Sequence, residues 1–400
     1  MQTSIDKIHF LYRGKYGFEE MKELPALPIF DEDVCCFLSE YSKLILKDKE
    51  AKLYPDIITF AFFCRKSNLE KLKKEYRQGA RFGKGFTFHI APSNVPINFA
   101  YTLAAGLLAG NTCVIRVSSK NFQQTEILCR ILQQMYERFE NPVKNYIGII
   151  TFERKKEVMD YMSGLCDVRV IWGGDETISR IRESKLQARS TDITFGDRYS
   201  ICMIRAEEIL KIREMEKLAQ EFYNDTFLND QNACSSPKSI LWVGNDSDIE
   251  KAQSKFWDAI HEYTENKYHL EPMTVIDKYL TGLCCAIDME GVRIKKHKNN
   301  LIWRIEIPEP NKKMQDYICM GGCFLEYKSE NLDILEKVVT KKYQTVSYYG
   351  FEKEELQEWI REKRFSGIDR IVPIGKTLEF SLIWDGYDLI RELSRMYVII

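Results

Sequence analysis

Apolar residues recur through Phe37, Tyr41, Leu44 and Leu46 behind an acidic start at Asp31, Glu32 and Asp33, the pattern of a helix with one face toward a core. A second stretch, 56–76, carries Ile57, Phe60, Phe63, Leu69, Leu72 and Tyr76 in the same manner, so residues 32–80 read as helical. From about residue 84 the texture changes. Residues 86–91 form a short β-rich run, closed by Pro92-Ser93-Asn94-Val95-Pro96 and followed by a small-residue helix at about 97–109. Gly110 and Asn111 stop that helix, because both tolerate the left-handed cap conformation. Strands at 112–117, 146–151 and 167–172 then alternate with helices near 123–139, 155–162 and 176–185.

Apolar strands separated by amphipathic helices point to a doubly wound parallel sheet, whose ligands bind at the carboxyl ends of the strands. Asn94, Ser118 and the pair Gly173-Gly174 all fall at such ends. A second α/β unit starts near residue 206 with a charged helix at 207–225 and a polar loop, Gln231-Asn232-Ala233-Cys234-Ser235-Ser236-Pro237. A strand at 239–243, a helix at 249–263 and strands at 302–307, 324–327 and 345–348 follow. The expected organisation is 1–205, 206–366 and a closing segment 367–400 that packs back on the body.

Composition narrows the functional classes. A chain of 400 residues with 44% hydrophobic and 29% charged residues is an ordinary globular sequence. Its 58 basic and 59 acidic residues leave a formal charge of −1, which provides no general attraction for nucleic acid or anionic membrane. The first residues lack the apolar core of a secretory signal, and no apolar run approaches the ~20 residues of a spanning helix. The expectation is a soluble cytoplasmic protein whose 12 cysteines are mostly buried thiols. Cys35-Cys36 and Cys284-Cys285 are adjacent, a poor geometry for a disulfide. Cys319 and Cys323 lack a second close Cys or His pair, and with five His in the chain no metal site is expected.

Three features carry candidate chemistry. Cys234 sits in a polar loop between a helix and a strand, where a thiol gains access and a lowered pKa; the plain alternative is a small turn residue. Asn94 stands where a strand gives way to a helix and could donate to a developing oxyanion, or it could bond its own backbone. Gly173-Gly174-Asp175 follows a strand and opens a helix, offering free N–H groups to a pyrophosphate, although the full three-glycine fingerprint is missing. His89, in an apolar strand, reads as a buried hydrogen-bonded residue, not a base. Gln344 suits either a substrate contact or packing at a strand edge.

The segments Phe88 through Pro96, Leu108 through Arg116, Ile171 through Gly174 and Gln231 through Pro237 occur in one order. Together with Arg65 through Leu69, Tyr343 through Gly350, Asp369 through Gly375 and Trp384-Asp385-Gly386, this resembles the aldehyde dehydrogenase superfamily, most closely its LuxC-type acyl-CoA reductase branch. The resemblance implies an aldehyde dehydrogenase-like α/β fold, with a doubly wound cofactor-binding domain and a second α/β catalytic domain. It makes Cys234 the nucleophile, and Asn94 with the Cys234 backbone N–H the oxyanion hole. Arg116 takes the place of the usual ribose-binding Lys, and Gly173 and Gly174 lie beside the cofactor phosphates.

Two departures sharpen the expectation. Where hydrolytic relatives carry a water-activating Glu, the matching run Ile193-Thr194-Phe195-Gly196-Asp197-Arg198 has Thr194, so an acyl-enzyme should persist until a thiol or hydride arrives. Where NAD-preferring relatives place a ribose-binding Glu, this chain has Ser119 beside Ser118, which with Arg116 favours NADPH over NADH. The expected function is reduction of an acyl-CoA or related acyl thioester to an aldehyde through an acyl-Cys intermediate. The alternatives are a CoA-acylating aldehyde dehydrogenase, an acyl-phosphate reductase, or a non-catalytic acyl carrier serving an acyl-activating ligase. The resemblance also implies homo-oligomerisation and an acyl-activating ligase as partner.

Overall fold

Every residue of the run Phe86–Ile90 is buried, the mark of a strand covered on both faces. Phe86, Phe88 and Ile90 enter one apolar cluster with Val114, Ile150 and Ile171, while Thr87 and His89 point to the other face. There the two ring nitrogens of His89 bond Thr102 Oγ1 at 2.7 Å and Thr87 Oγ1 at 2.9 Å. His89 is therefore the buried, satisfied residue that its apolar strand implied, and burial holds its imidazole down at about 3.

A computed structural model describes residues 7–76, 80–153 and 155–399. They divide into two units: Met1–Gly196 with Ser381–Ile400, and Asp197–Phe380. The expected helical stretch 32–80 is three helices, Glu32–Lys47, Pro55–Phe63 and Lys66–Glu75; residues 77–79, like the N-terminal 1–6, lie outside the described residues.

The first unit is built on β1 (His9–Arg13), β2 (Arg81–Gly83), β3 (Phe86–Ile90), β4 (Thr112–Arg116), β5 (Ile147–Thr151), β6 (Val168–Trp172) and β7 (Thr191–Phe195). Six of these form a sheet in the order β1-β5-β4-β3-β6-β7, with β1 antiparallel and the rest parallel. The helix Asn98–Leu108 ends as its sequence requires. Gly110 takes φ +88 against the Leu27 carbonyl, where a Cβ would stand 2.0 Å away. Asn111 closes the turn through its side chain instead, with Oδ1 accepting from Gly85 N at 3.1 Å and Nδ2 donating to Leu393 O at 2.9 Å.

The second unit holds β8 (Tyr199–Arg205), β9 (Ser239–Val243), β10 (Arg293–His297), β11 (Ile302–Glu306), β12 (Cys323–Ser329), β13 (Tyr343–Tyr349) and β14 (Arg370–Pro373). Their order is β10-β11-β12-β9-β8-β13-β14, parallel except for β10. Because β8 pairs with β9 and β13, the division falls at 196/197, not at 205/206. The closing segment likewise splits. β14 extends the second sheet, whereas Ser394–Met396 pairs with β2 in the first unit. The charged helix expected at 207–225 is two, Ala206–Lys211 and Glu216–Thr226. Gln344 is interior, since β13 has a neighbour on each side, and is not at a strand edge.

Buried polar groups are paired where charge is involved. Glu326 accepts from Trp242 Nε1 at 2.9 Å, Trp257 Nε1 at 2.7 Å and Arg304 Nε at 2.7 Å, so an interior carboxylate is held by three donors. All twelve cysteines are free thiols and eight are buried. Among the described residues no helix is long and apolar enough to cross a membrane.

Candidate active site

At the carboxyl ends of β3 and β4 the first unit opens a cavity of about 440 Å³. Ile90 and Arg116, the last residues of those strands, line it together with Phe152, which follows β5. Its other walls come from two helices, Lys156–Leu165 and Asp175–Arg182. Apolar Ile90, Phe152, Met159 and Ile181 share the lining with four cations, Arg116, Lys155, Lys156 and Arg180, and with Glu183; Lys155, Lys156 and Arg180 also pair with Glu153, Asp160 and Glu176 outside the lining. The Arg116 guanidinium lies over the Phe152 ring, 5.2 Å from its centroid, and Nη2 donates to Phe152 O at 3.4 Å. Apolar side chains next to cations are the chemistry that a planar base beside phosphate groups would use.

The expected cofactor residues are distributed unevenly around this cavity. Arg116 lines it, and Gly173 packs on Thr177, another lining residue, whose Cγ2 would stand 3.3 Å from an added Cβ. Gly174 caps the helix Asp175–Arg182 with an ordinary φ of −61, its carbonyl accepting from Ile178 N at 3.0 Å. Asp175 and Glu176 in the first turn already complement the helix dipole and oppose an approaching phosphate. Ser118 and Ser119 are not among the lining residues; Ser118 Oγ accepts from Lys120 N at 3.2 Å within its own turn. Lys155, Lys156 and Arg180 take their place, a contribution that sequence reasoning missed. Helix charges repeat everywhere in this chain, so only their common orientation distinguishes these three.

Asn94 is exposed in the loop between β3 and the helix Asn98–Leu108, as its motif requires. Thr194 lies in β7, half-buried, with Oγ1 accepting from Arg182 at 3.4 Å; this position offers no carboxylate to activate water.

In the second unit Cys234 is one of only two partly exposed cysteines, on the loop that enters β9 at its amino end. The loop is pinned from several sides. Asp230 and Gln231 take consecutive left-handed conformations, φ +52 and +60, which cost side-chain-bearing residues about 1 kcal/mol or more each. The Gln231 carboxamide holds them there. Its Nε2 donates to Pro237 O at 2.8 Å and Cys323 O at 2.9 Å, and its Oε1 accepts from Gly322 N at 3.0 Å and Cys323 N at 3.2 Å. Ser200 Oγ donates to the Cys234 carbonyl at 2.6 Å. Lys238 donates its ammonium to Gln231 O and lies within electrostatic reach of the Cys319, Cys234 and Cys323 thiols. Burial pushes Lys238 down to about 8, while the three sulfurs pull it back up. Gln231 and Lys238 were not among the expected functional residues. The only signal was position: Gln231 opens the motif three residues before the cysteine, and Lys238 follows directly after its last residue.

The family model for acyl-CoA reductase (LuxC) matches residues 6–397. Long-chain acyl-protein thioester reductases of Vibrio harveyi and Photorhabdus luminescens are 23% and 24% identical over 323 and 328 residues. Each alignment covers 79% of this chain and 63% of the relative, so the chain spans less than two thirds of the relatives' length. Among solved structures, Thermus 1-pyrroline-5-carboxylate dehydrogenase with bound NAD superposes with a TM-score of 0.63 at 13% identity, covering 95% of this chain and 82% of that one. The glyceraldehyde-3-phosphate dehydrogenase GapN of Methanocaldococcus jannaschii, complexed with NADP, gives 0.62 at 15% identity over 99% and 92%. These two similarities establish an aldehyde dehydrogenase-like fold.

Proposed function

Because the chain belongs to the acyl-CoA reductase (LuxC) family, we propose that it reduces a long-chain acyl thioester to the aldehyde through an acyl group held on Cys234. The observation that carries this reading is the loop of Cys234: a partly exposed cysteine on a backbone pinned by Gln231 and Ser200, with a lysine ammonium in electrostatic reach. An adjacent cation favours thiolate, the nucleophilic form.

Cys234 sulfur attacks the acyl carbonyl, and the donor thiol departs as the carbonyl re-forms, leaving a thioester on the enzyme. Asn94 and the Cys234 backbone N–H are assigned the oxyanion. With Thr194 where hydrolytic relatives carry a carboxylate, water is not activated and the thioester persists. NADPH supplies the hydride when bound, and the first unit's cavity fits its phosphate-bearing adenosine half, with Arg116, Lys155, Lys156 and Arg180 as the phosphate partners. After reduction the C–S bond breaks, aldehyde leaves and the Cys234 thiol is regenerated. The relatives' printed names favour an acyl group carried on a protein thiol, the family description one carried on CoA.

The test is NADPH oxidation across acyl-CoA thioesters of increasing length and across an acylated carrier protein, run beside NADH. Aldehyde formation from long-chain thioesters, faster with NADPH, is expected. Oxidation of aldehyde to free acid with no thioester reduction would overturn the reading.

A further inference from the structure

Alternation along β6 puts Arg169 on the same face as Ile171, in the apolar layer that also holds Phe88 and Ile90. Only 1% of this residue is exposed, yet it carries a guanidinium. Each nitrogen of the fork is occupied. Nε and Nη2 donate to the two carboxylate oxygens of Asp192 in β7, at 2.7 and 2.9 Å. Nη1 donates to Ser163 Oγ at 2.8 Å, Ser184 O at 2.8 Å and Ile181 O at 3.1 Å.

Those last three acceptors belong to the walls of the first unit's cavity. Ser163 lies in the helix Lys156–Leu165, Ile181 in the helix Asp175–Arg182 and Ser184 just beyond it. Helical periodicity makes the relation closer. Lys156 and Met159, which line the cavity, share a stripe with Asp160 and Ser163. Thr177, Arg180 and Ile181 share one that runs on to Ser184, and all four line the cavity. Both lining stripes therefore end on one guanidinium. A second clip joins them: the Ser184 hydroxyl donates to the Asp160 carboxylate, which also accepts from Lys156 Nζ at 3.0 Å.

A buried ion pair seldom stabilises a fold beyond what apolar packing of the same volume would give, so stability is a weak reason for an arginine at this position. What a guanidinium adds is direction, because its donors lie in one rigid plane. Here it also satisfies carbonyls left open at the carboxyl end of the helix Asp175–Arg182, where a cation is favoured. We propose that Arg169 is a positioning residue for the cofactor: by fixing the separation of the two helices it sets the spacing of Lys156 and Arg180, one on each wall, and so the affinity for the phosphate-bearing half of NADPH. The proposal rests on the assignment of NADPH to this cavity. Arg169 does not line the cavity and acts only through the helices it holds.

Two substitutions test it at graded strength. Arg169→Lys keeps the charge and loses the fork. Ser163→Ala removes one acceptor, leaves the Asp192 pair intact and carries the test if the lysine variant does not fold. In a fluorescence titration with NADPH the midpoint gives the affinity and the end point counts competent sites. Arg169→Lys should weaken NADPH binding about tenfold and Ser163→Ala about threefold, with the KM for acyl thioester and the kcat at saturating NADPH unchanged. Combined with Arg180→Ala, either change should have less than its full effect, because the wall it positions has lost its cation. Unchanged NADPH affinity in both variants, or fully multiplicative losses with Arg180→Ala, would overturn the proposal. So would a lowered end point with unaltered affinity, the signature of a purely structural arginine. Should Arg180→Ala itself leave NADPH binding intact, the cofactor does not occupy this cavity, and the role of Arg169 falls with that assignment.

Discussion

The two sheets are built alike, and the proposed function uses them at opposite ends. In the first unit a cavity opens at the carboxyl ends of parallel strands, bordered by four cations, three of them paired with neighbouring acids, and by one carboxylate, Glu183. The second unit also has a crevice at the carboxyl ends of its strands, but it is smaller, about 270 Å³, and bordered by Glu207, Asp248, Glu330 and Glu355. Its one arginine, Arg205, is already paired with Glu355 at 2.6 Å and lies over the Phe351 ring. Such a rim repels a phosphate-bearing ligand. The residues of the proposed site lie instead at the amino edge of that sheet, where the first residues of β8 and β12 and the loop entering β9 supply Ser200, Cys323 and Cys234. Parallel strands offer a crevice wherever connections diverge, but the side chains bordering it decide whether a ligand can enter.

The comparison can be broken most directly at the sulfur. Cys234→Ser should abolish both radiolabelled acyl incorporation and aldehyde formation, a loss on the order of 10⁴-fold or more. Cys284→Ser, an exposed thiol of the same unit, should leave both intact. In the first unit, Asn94→Ala should lower kcat by about 10²–10³-fold, the loss of one oxyanion donor, with little change in KM. If KM rises and kcat holds, Asn94 binds substrate and does not stabilise the transition state.

Acid separates the units in a second way. His89 binds a proton near 6.5 in the unfolded chain but only at about 3 in the fold, so its contribution to stability is full above 6.5 and is lost as pH falls toward 3. Asp225 of the second unit has the opposite sign. Burial raises it to about 6 despite bonds from Gly375 N and Thr377 N, so falling pH favours the folded state through that window. Urea midpoints at pH 7 and pH 5 should show about 2 kcal/mol of acid destabilisation from His89, and His89→Gln should flatten it. An unchanged pH slope in that variant would exclude His89 as the source.

Smaller effects sharpen the contrast of the two crevices. Arg116→Ala and Arg180→Ala should each raise the KM for NADPH about tenfold, as the loss of one charge-assisted contact predicts, and affect NADH less. Glu355→Ala in the second crevice should change neither. At the nucleophile loop, Lys238→Met should move the pH profile of Cys234 alkylation upward by about one unit, because the neighbouring ammonium no longer favours thiolate. Lys238→Arg should restore much of the wild-type profile. A role for Lys238 confined to folding would leave the profile where it is.

Much of this molecule was legible before its structure. Alternating apolar runs and amphipathic stretches located β3, β4, β5 and β6 of the first sheet, because burial on both faces leaves a clear local pattern, whereas the partly exposed outer strands β1 and β7 were not foreseen. The helix Pro272–Asp288 and β8 were passed over. The helix places apolar residues outward around a thin buried face, and β8 is a continuous buried run without the alternation that marks a strand. The motif around Cys234 singled out the sulfur, yet Gln231 looked like any polar loop residue. Its four bonds run to Pro237, Gly322 and Cys323, two of which lie about ninety residues away in sequence.

The sequence by itself therefore determined which side chains could do chemistry and the order in which strands and helices follow one another. Both are local properties, set by residue type and by the period of burial. Tertiary structure alone decided that Lys155, Lys156 and Arg180 join Arg116 around one cavity, that the Cys234 loop sits against Ser200 at the amino edge of the second sheet, and that the large apolar side chains of the helix Pro272–Asp288 look outward. Each of these depends on which elements pack together, and packing partners distant in sequence leave no trace in the local pattern.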